Sequence, residues 1–310
     1  GAAKNFTRED LDLARDLSAF YADPLGFVLY VFPWGKKGTR LADEAGPDEW
    51  QITFLDELGK AVREGMDVAD ALPMLFAVAS GHGIGKTALI SWIILWFIST
   101  REFPQIVVTA GKKDQLTSKT WRELAKWNKL SINGHWFVWT ATKLEHALYP
   151  DMWYAHAIPW SKNAPENFAG THEKHVLVLY DEASAIDDVI WEVTDGAMTT
   201  PNAMWIAFGN PTKNTGRFFD CFNKFRKIWR TFQIDSRNAK KANRRLLDMW
   251  VEMYGEDSDF VRVRVRGVFP RAGDLQFISS EDVRAAIERK AANQDRYGKV
   301  LGVDVARHGM

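Results

Sequence analysis

LFAVASGHGIGKTALISWIILWF, residues 75–97, joins a short apolar run to a glycine-rich turn and then to a second, longer apolar run. Leu75–Ala79 shows no helical period and has the length of a buried strand, whereas Ala88–Ile98 has the length of a core helix. A buried strand, a glycine-rich loop and a buried helix in that order make a phosphate-binding loop in its working context. Glycines at 81, 83 and 85 let successive N–H groups converge on phosphate oxygens, because a Cβ would block both positive φ and close approach. Lys86 is expected to reach the β- and γ-phosphates, and the Thr87 hydroxyl to coordinate Mg²⁺. The helix N-terminus adds about half a positive charge. Ser80 stands where the pattern GxxxxGK[ST] has its first glycine, and Gly81 and Gly83 keep the flexibility. The expected phosphate-binding set is therefore Ser80, Gly81, His82, Gly83, Ile84, Gly85, Lys86 and Thr87.

A second stretch, HVLVLYDEAS (175–184), has the continuous apolar run of a buried parallel strand and ends in adjacent carboxylates. Asp181 would hold Mg²⁺ through water opposite Thr87, and Glu182 would orient and deprotonate an attacking water. A third run, AMWIAFGN (203–210), brings the Asn210 amide to a strand end. There it could hydrogen-bond the γ-phosphate or the water, or simply open an Asn-Pro turn. No NKxD guanine signature follows, so adenine is the expected base. Upstream, a helix expected from Asp48 carries Trp50 and Gln51 in its first turn. The Gln51 amide is either an adenine reader, matching the N6/N7 edge, or an ordinary exposed helix glutamine. Ile106–Thr109 reads as an extra strand between the phosphate loop and the acidic strand, followed by a helix from Lys112 through Lys129. Helicases and recombination ATPases share that insertion. The expected fold is α/β: a P-loop NTPase of the additional-strand, catalytic-glutamate (RecA/helicase-like) type, with a mostly parallel sheet flanked by helices and a small lid.

With 310 residues, 46% of them hydrophobic, the chain can bury a large core. Lys plus Arg and Asp plus Glu number 40 each, so any nucleic-acid surface must be local. Candidate basic groups are Lys224, Arg226, Lys227 and Arg230; then Arg237, Lys240, Lys241, Arg244 and Arg245, the 240–245 part on a helix; and Arg262, Arg264 and Arg266, alternating on one strand face. Each group is either a solvated face or a phosphate track. A single cysteine, Cys221, excludes an internal disulfide framework and cysteine-based zinc, which suits a reducing cytosol. The polar start shows no signal peptide, and the longest apolar segment is too short to span a bilayer. Elsewhere the sequence predicts a helix over 5–22, an irregular segment wrapping the core over 24–47, two or three strands over 134–160 and a loop over 164–174. His172 and His175 lack suitably spaced acids or cysteines for a metal site.

Four elements thus stand in one order: Trp50-Gln51, SGHGIGKT (80–87), LVLYDEA (177–183) and FGNPT (208–212). That order resembles the ATPase domain of the large terminase subunit of tailed bacteriophages. MYGEDSDFVRVRVRGVFPRAGD (253–274) is similar to the segment leading from that family's lid to its nuclease. VLGVDVARHG (300–309) is similar to the first strand of the RNase H-like nuclease, with Asp304 matching its first metal-binding aspartate. The resemblance implies a motor that uses ATP and Mg²⁺ to drive double-stranded DNA through a portal into a procapsid. Its partners would be the portal protein, the procapsid and the small terminase subunit, and on the portal it would form a homo-oligomeric ring, commonly a pentamer. It would act in the host cytoplasm, away from membranes and outside the mature virion. The implied organisation is an N-terminal helix and wrapping segment (1–47), an ATPase core (48–214), a lid (215–265), a linker (266–299) and a nuclease stub (300–310). Many relatives carry an arginine in the phosphate loop where this chain has His82. An arginine finger must then come from elsewhere, Arg217 being a candidate, or from a neighbouring subunit. One aspartate cannot assemble a two-metal site, so no nuclease activity is expected from this sequence. Two further readings share the core: a helicase-like remodelling ATPase, for which no second RecA-like half is evident, and a nucleotide-controlled assembly module, against which Glu182 argues.

Overall fold

A computed structural model describes residues 6–162 and 173–271, together with Ala286 and Arg289. The chain divides into two compact units, Gly1–Pro270 and Arg271–Met310. Nearly all of the second unit, including Asp304 and the expected nuclease strand, lies outside the described residues, as does His172.

Thr7 opens helix α1 (Arg8–Ser18) with a capping box shared with Asp10. Pro24–Val31 then forms helix α2, where sequence predicted irregular wrapping. The proline sits in the first turn and Asp23 caps it, so Pro24 starts the helix rather than breaking it. Its residues Phe27, Val28 and Val31 are buried. Helix α3 (Glu49–Gly65) follows, capped by Asp48. Strand β1 (Met74–Ser80) leads through the glycine-rich loop into helix α4 (Lys86–Thr100), whose residues 89–98 are all buried.

After β2 (Gln105–Ala110) the expected single helix is interrupted. A short helix α5 (Lys113–Gln115) passes into a π-helical turn, Leu116–Thr120, before α6 (Trp121–Leu130). Three small strands follow, β3 (Phe137–Trp139), β4 (Lys143–His146) and β5 (Tyr154–Ala157). The acidic strand is β6 (Val176–Asp181); α7 (Asp188–Ala197), β7 (Met204–Gly209), α8 (Arg217–Phe222) and β8 (Arg230–Ile234) come next. Helices α9 (Arg244–Tyr254) and α10 (Asp259–Arg264) complete the unit.

All eight strands join one sheet in the order β3-β4-β5-β2-β6-β7-β1-β8. It is parallel from β5 to β8 and antiparallel only where β4 meets β3 and β5. The strand that lies between phosphate-loop strand β1 and acidic strand β6 in the sheet is β7, the additional-strand arrangement; β2, expected as the extra strand because it falls between them in sequence, lies instead on the far side of β6. Side chains alternate accordingly. Phe76, Val78, Leu177, Leu179, Ile206 and Phe208 pack with α3, α4 and α6 on one face. Ala77, Val178, Tyr180, Trp205 and Ala207 pack with Ile190, Trp191 and Phe218 on the other. Both faces are covered, so the loops at the carboxyl ends of the parallel strands carry the free polar chemistry.

The alternating Arg262, Arg264 and Arg266 were expected on a strand face, but residues 259–264 are helical. Ser258 caps the turn by accepting from the Val261 N–H, and Val261 and Val265 are both fully buried at helical spacing. An i, i+4 valine pair within V-R-V-R-V mimics a period of two. Lys240 and Lys241 precede α9 rather than lying on it.

Candidate nucleotide site

The glycine-rich loop is held by its carbonyls. Asn210 Nδ2, at the end of β7, donates to Ser80 O (2.7 Å) and Gly81 O (3.0 Å). Ser236 Oγ donates to His82 O at 2.8 Å, Trp50 Nε1 to Ile84 O at 3.1 Å and Gln51 Nε2 to Gly85 O at 3.2 Å. Two loop N–H groups are also engaged: Gly81 donates to Ile234 O at 3.1 Å and His82 to Arg264 O at 2.8 Å. Packing here is close enough that a Cβ on Gly81 would sit 2.2 Å from Ser236 Oγ and 2.5 Å from Val265 O. Gly83 (φ 74°) and Gly85 (φ 84°) then turn the chain through the left-handed region into α4. Among the described residues, no backbone acceptor meets the N–H groups of Gly83, Ile84, Gly85, Lys86 or Thr87. These are orphan donors at a helix N-terminus, the chemistry that receives a phosphate.

Both ends of the Gln51 amide, expected to read adenine, are engaged in this lattice. Its Oε1 accepts from the Asp48 N–H at 2.8 Å, completing a capping box, while Nε2 holds Gly85 O. Gln51 and Trp50 are buried. Neither is the exposed helix residue of the alternative reading.

The Lys86 ammonium points inward, donating to Ser80 Oγ (2.8 Å) and Gly81 O (3.3 Å). Burial lowers its pKa from 10.5 to about 8, against the upward pull of Asp181 and Glu182. The pKa of His82 is lowered by burial and then by the Lys86 and Arg264 charges, which disfavours the imidazolium.

Asp181 is almost fully buried at the end of β6. One carboxylate oxygen accepts from Thr120 Oγ1 at 2.7 Å and the other from the Glu182 N–H at 2.9 Å. Thr120 was not singled out by sequence; the π-helical turn brings it to this carboxylate, and no residue pattern announces such a turn. Glu182 adopts a left-handed backbone (φ 50°), uncommon for a residue with a side chain. Burial first, and then the Asp181 carboxylate, raise its pKa, opposed by Lys119, Lys86 and Lys112. The chain after β2 packs against it so tightly that a Cβ on Gly111 would lie 3.2 Å from the Glu182 Cβ. Thr87 and Asp181 offer hard oxygen donors. Among the described residues, no group of three or more His, Cys, Asp or Glu side chains could hold a metal. A cation here would thus draw most of its ligands from a nucleotide and water, as Mg²⁺ commonly does.

Arg217, the candidate cis finger, is committed elsewhere: its Nη2 reaches both Asp195 carboxylate oxygens (2.8 and 3.0 Å) and its guanidinium lies over Phe225. Several candidate phosphate-track cations are ion-paired. Arg230 meets Glu64, Arg237 meets Asp235 and Glu256, Lys241 meets Glu44, and Arg266 meets Asp257.

No protein-family model matches the chain. In sequence it is similar to a probable terminase large subunit of Enterobacteria phage P7, 25% identical over 243 residues, which cover 74% of this chain and 49% of that protein. The chain therefore spans about half the length of the curated relative it matches. Among solved structures, the large terminase of a thermophilic bacteriophage in complex with ADP aligns at a TM-score of 0.50, 10% identity, covering 83% of this chain and 53% of that one. The HK97 bacteriophage large terminase aligns at 0.48, 19% identity, covering 68% and 43%. The resemblance to the large terminase subunits of tailed bacteriophages, carried first by four short motifs, is thus borne out in sequence by the P7 relative and in fold by the ADP-bound terminase of the thermophilic phage.

Proposed function

We propose that this chain is the ATP-hydrolysing part of a packaging motor, coupling hydrolysis to movement of double-stranded DNA through a portal into a procapsid. The observation that carries the proposal is one juxtaposition: the orphan N–H groups of Gly83–Thr87 lead into the helix that Lys86 opens, and the charge of Lys86 interacts with the buried Asp181 and with Glu182. In this reading ATP occupies the loop, and the Lys86 ammonium turns from Ser80 Oγ and Gly81 O onto the phosphates. Mg²⁺ fits the donor set of Thr87 and Asp181, and when bound supplies charge neutralisation at the phosphates. Glu182 accepts the proton of the attacking water; its strained backbone and its elevated pKa suit a general base. Trp50 and Gln51 serve the nucleotide through the loop, by gripping the carbonyls of Ile84 and Gly85. Asn210 shares Gly81 O with Lys86, so release of that oxygen by the lysine would be felt at the end of β7. Ring assembly, the small subunit, docking on the portal and action in the host cytoplasm belong to the same proposal; among the described residues no helix is long and apolar enough to cross a membrane.

Steady-state ATP hydrolysis by the chain and by Glu182→Gln, with and without double-stranded DNA, tests this reading. The variant should lose about 10²- to 10⁴-fold in turnover while retaining ATP binding. Near wild-type turnover in Glu182→Gln would remove the general base from the mechanism. Tight binding without turnover, even when portal and procapsid are supplied, would favour a nucleotide-controlled assembly module.

A further inference from the structure

The loop carries no arginine and Arg217 is paired with Asp195, so a cation to face the γ-phosphate is to be sought elsewhere. Beside Thr87 lies a cavity of about 330 Å³, lined by Thr87, Ser118, Lys119, Arg122, Glu123 and Lys126. One wall is the expected Mg²⁺ ligand; the opposite wall is the π-helical turn and the start of α6. Its charges are unequal in their commitments. Lys126 pairs with Glu123 at 2.6 Å, and Glu123 also accepts from Trp127 Nε1 at 3.0 Å. Lys119 and Arg122 are exposed and, among the described residues, neither has a carboxylate within ion-pairing distance.

The turn that carries them is anchored to the catalytic strand. Thr120, next to Lys119, donates to Asp181 Oδ2, and Gly111 N–H donates to Asp181 O at 3.1 Å. The π-helical geometry matters: the wider turn lets Thr120 face inward to Asp181 while Lys119 opens on the cavity. The positive charge of Lys119 is also felt at the Glu182 carboxylate. The pocket is cationic, shares Thr87 with the phosphate loop, and is tied to Asp181 through Thr120 and to Glu182 through the charge of Lys119.

We propose that Lys119 and Arg122 bind the terminal phosphate of the nucleotide in cis, supplying the charge that the arginine-free loop lacks. The proposal rests on the nucleotide-site reading above and assigns its γ-phosphate subsite. Cations placed there distinguish a nucleoside triphosphate from a diphosphate, because only the triphosphate extends beyond the reach of the loop N–H groups. Charge-assisted contacts to phosphate are the strong class of hydrogen bond, and arginine adds a bidentate fork.

The test is the ratio of affinities for ATP-γ-S and ADP, each with Mg²⁺, measured by titration calorimetry on the full chain. It is applied to the wild type, Lys119→Ala, Arg122→Ala, the double variant and Lys86→Ala. Both cavity residues are exposed, so the variants should keep their fold, which circular dichroism verifies. In the double variant ATP-γ-S affinity should fall about 10-fold or more while ADP affinity changes less than 2-fold, and Arg122→Lys should recover part of the loss. An unchanged ratio in the double variant, with wild type binding both nucleotides and Lys86→Ala binding neither, overturns the subsite and leaves the nucleotide-site reading intact. Failure of the wild type to bind either nucleotide overturns both.

Discussion

Lys86 should cost this fold stability, and replacing it should reveal how much. Burial lowers its pKa from 10.5 to about 8, so below pH 8 the folded protein holds a charge that the unfolded chain carries in water. A tenfold change in acidity is worth about 1.4 kcal/mol, which places the cost at roughly 3 kcal/mol at pH 7. Partial solvent access to the residue trims this to about 2 kcal/mol. Between pH 8 and 10.5 the unfolded state binds more protons than the folded one, so stability contributed at this site rises with pH, and the cost fades above the unfolded value. Lys86→Met removes the charge but also the contacts to Ser80 Oγ and Gly81 O, a loss of about 1 kcal/mol. The variant should therefore be about 1 kcal/mol more stable than wild type at pH 7. By pH 9.5 the gap should have narrowed by about 1 kcal/mol. Urea unfolding of both proteins without nucleotide, at the two pH values, measures the difference directly and cancels titrations that they share. A difference that does not move with pH would refute the reasoning, since a lysine whose folded and unfolded acidities match contributes no such dependence. The same physics links stability to ligand: phosphate oxygens near Lys86 return the stabilisation that burial withholds.

Gln51→Leu removes both amide bonds and should lower stability by about 1–2 kcal/mol in urea unfolding. It should also weaken ATP and GTP binding by the same factor, as measured by calorimetry; selective loss of ATP would return the amide to adenine reading. Asp10 accepts from the Thr7 N–H (2.9 Å), Trp136 Nε1 (2.8 Å) and His135 Nε2 (2.6 Å), and these bonds, the Thr7 N–H first, hold its carboxyl well below the ordinary 3.8. Its contribution is present above pH 3.8 and is lost as pH falls through the folded value, so Asp10→Asn should cost about 1–3 kcal/mol at pH 7 and flatten the acid limb of a stability–pH curve. An acid limb unchanged from wild type would remove the charge of Asp10 from the account.

Which parts of this molecule were legible follows from the range of the interactions that make them. The phosphate loop and the strands β6 and β7 could be read because their determinants are local: glycine φ values, continuous apolar runs and polar residues where those runs end. The interruption of the helix after β2, the engagement of Asn210 with the loop and the service of Ser236 to His82 O could not. Asn210 meets Ser80 and Gly81 across 130 and 129 positions of chain, and Ser236 meets His82 across 154. Period alone also misled at 262–266, where valines four apart look like alternation, and at Pro24, where a residue that ends helices begins one. The miss with the largest consequence is Thr120. Its neighbour Trp121 and the later Leu124 and Trp127 are buried at helical spacing, and a regular helix extended backward from them would carry no signal of a π turn. That turn brings Thr120 to Asp181 and Lys119 to the cavity beside Thr87. A sequence reading can therefore find the groups that perform the chemistry and still miss the ones that set their charge and position, because positioning residues are defined by tertiary register and not by type.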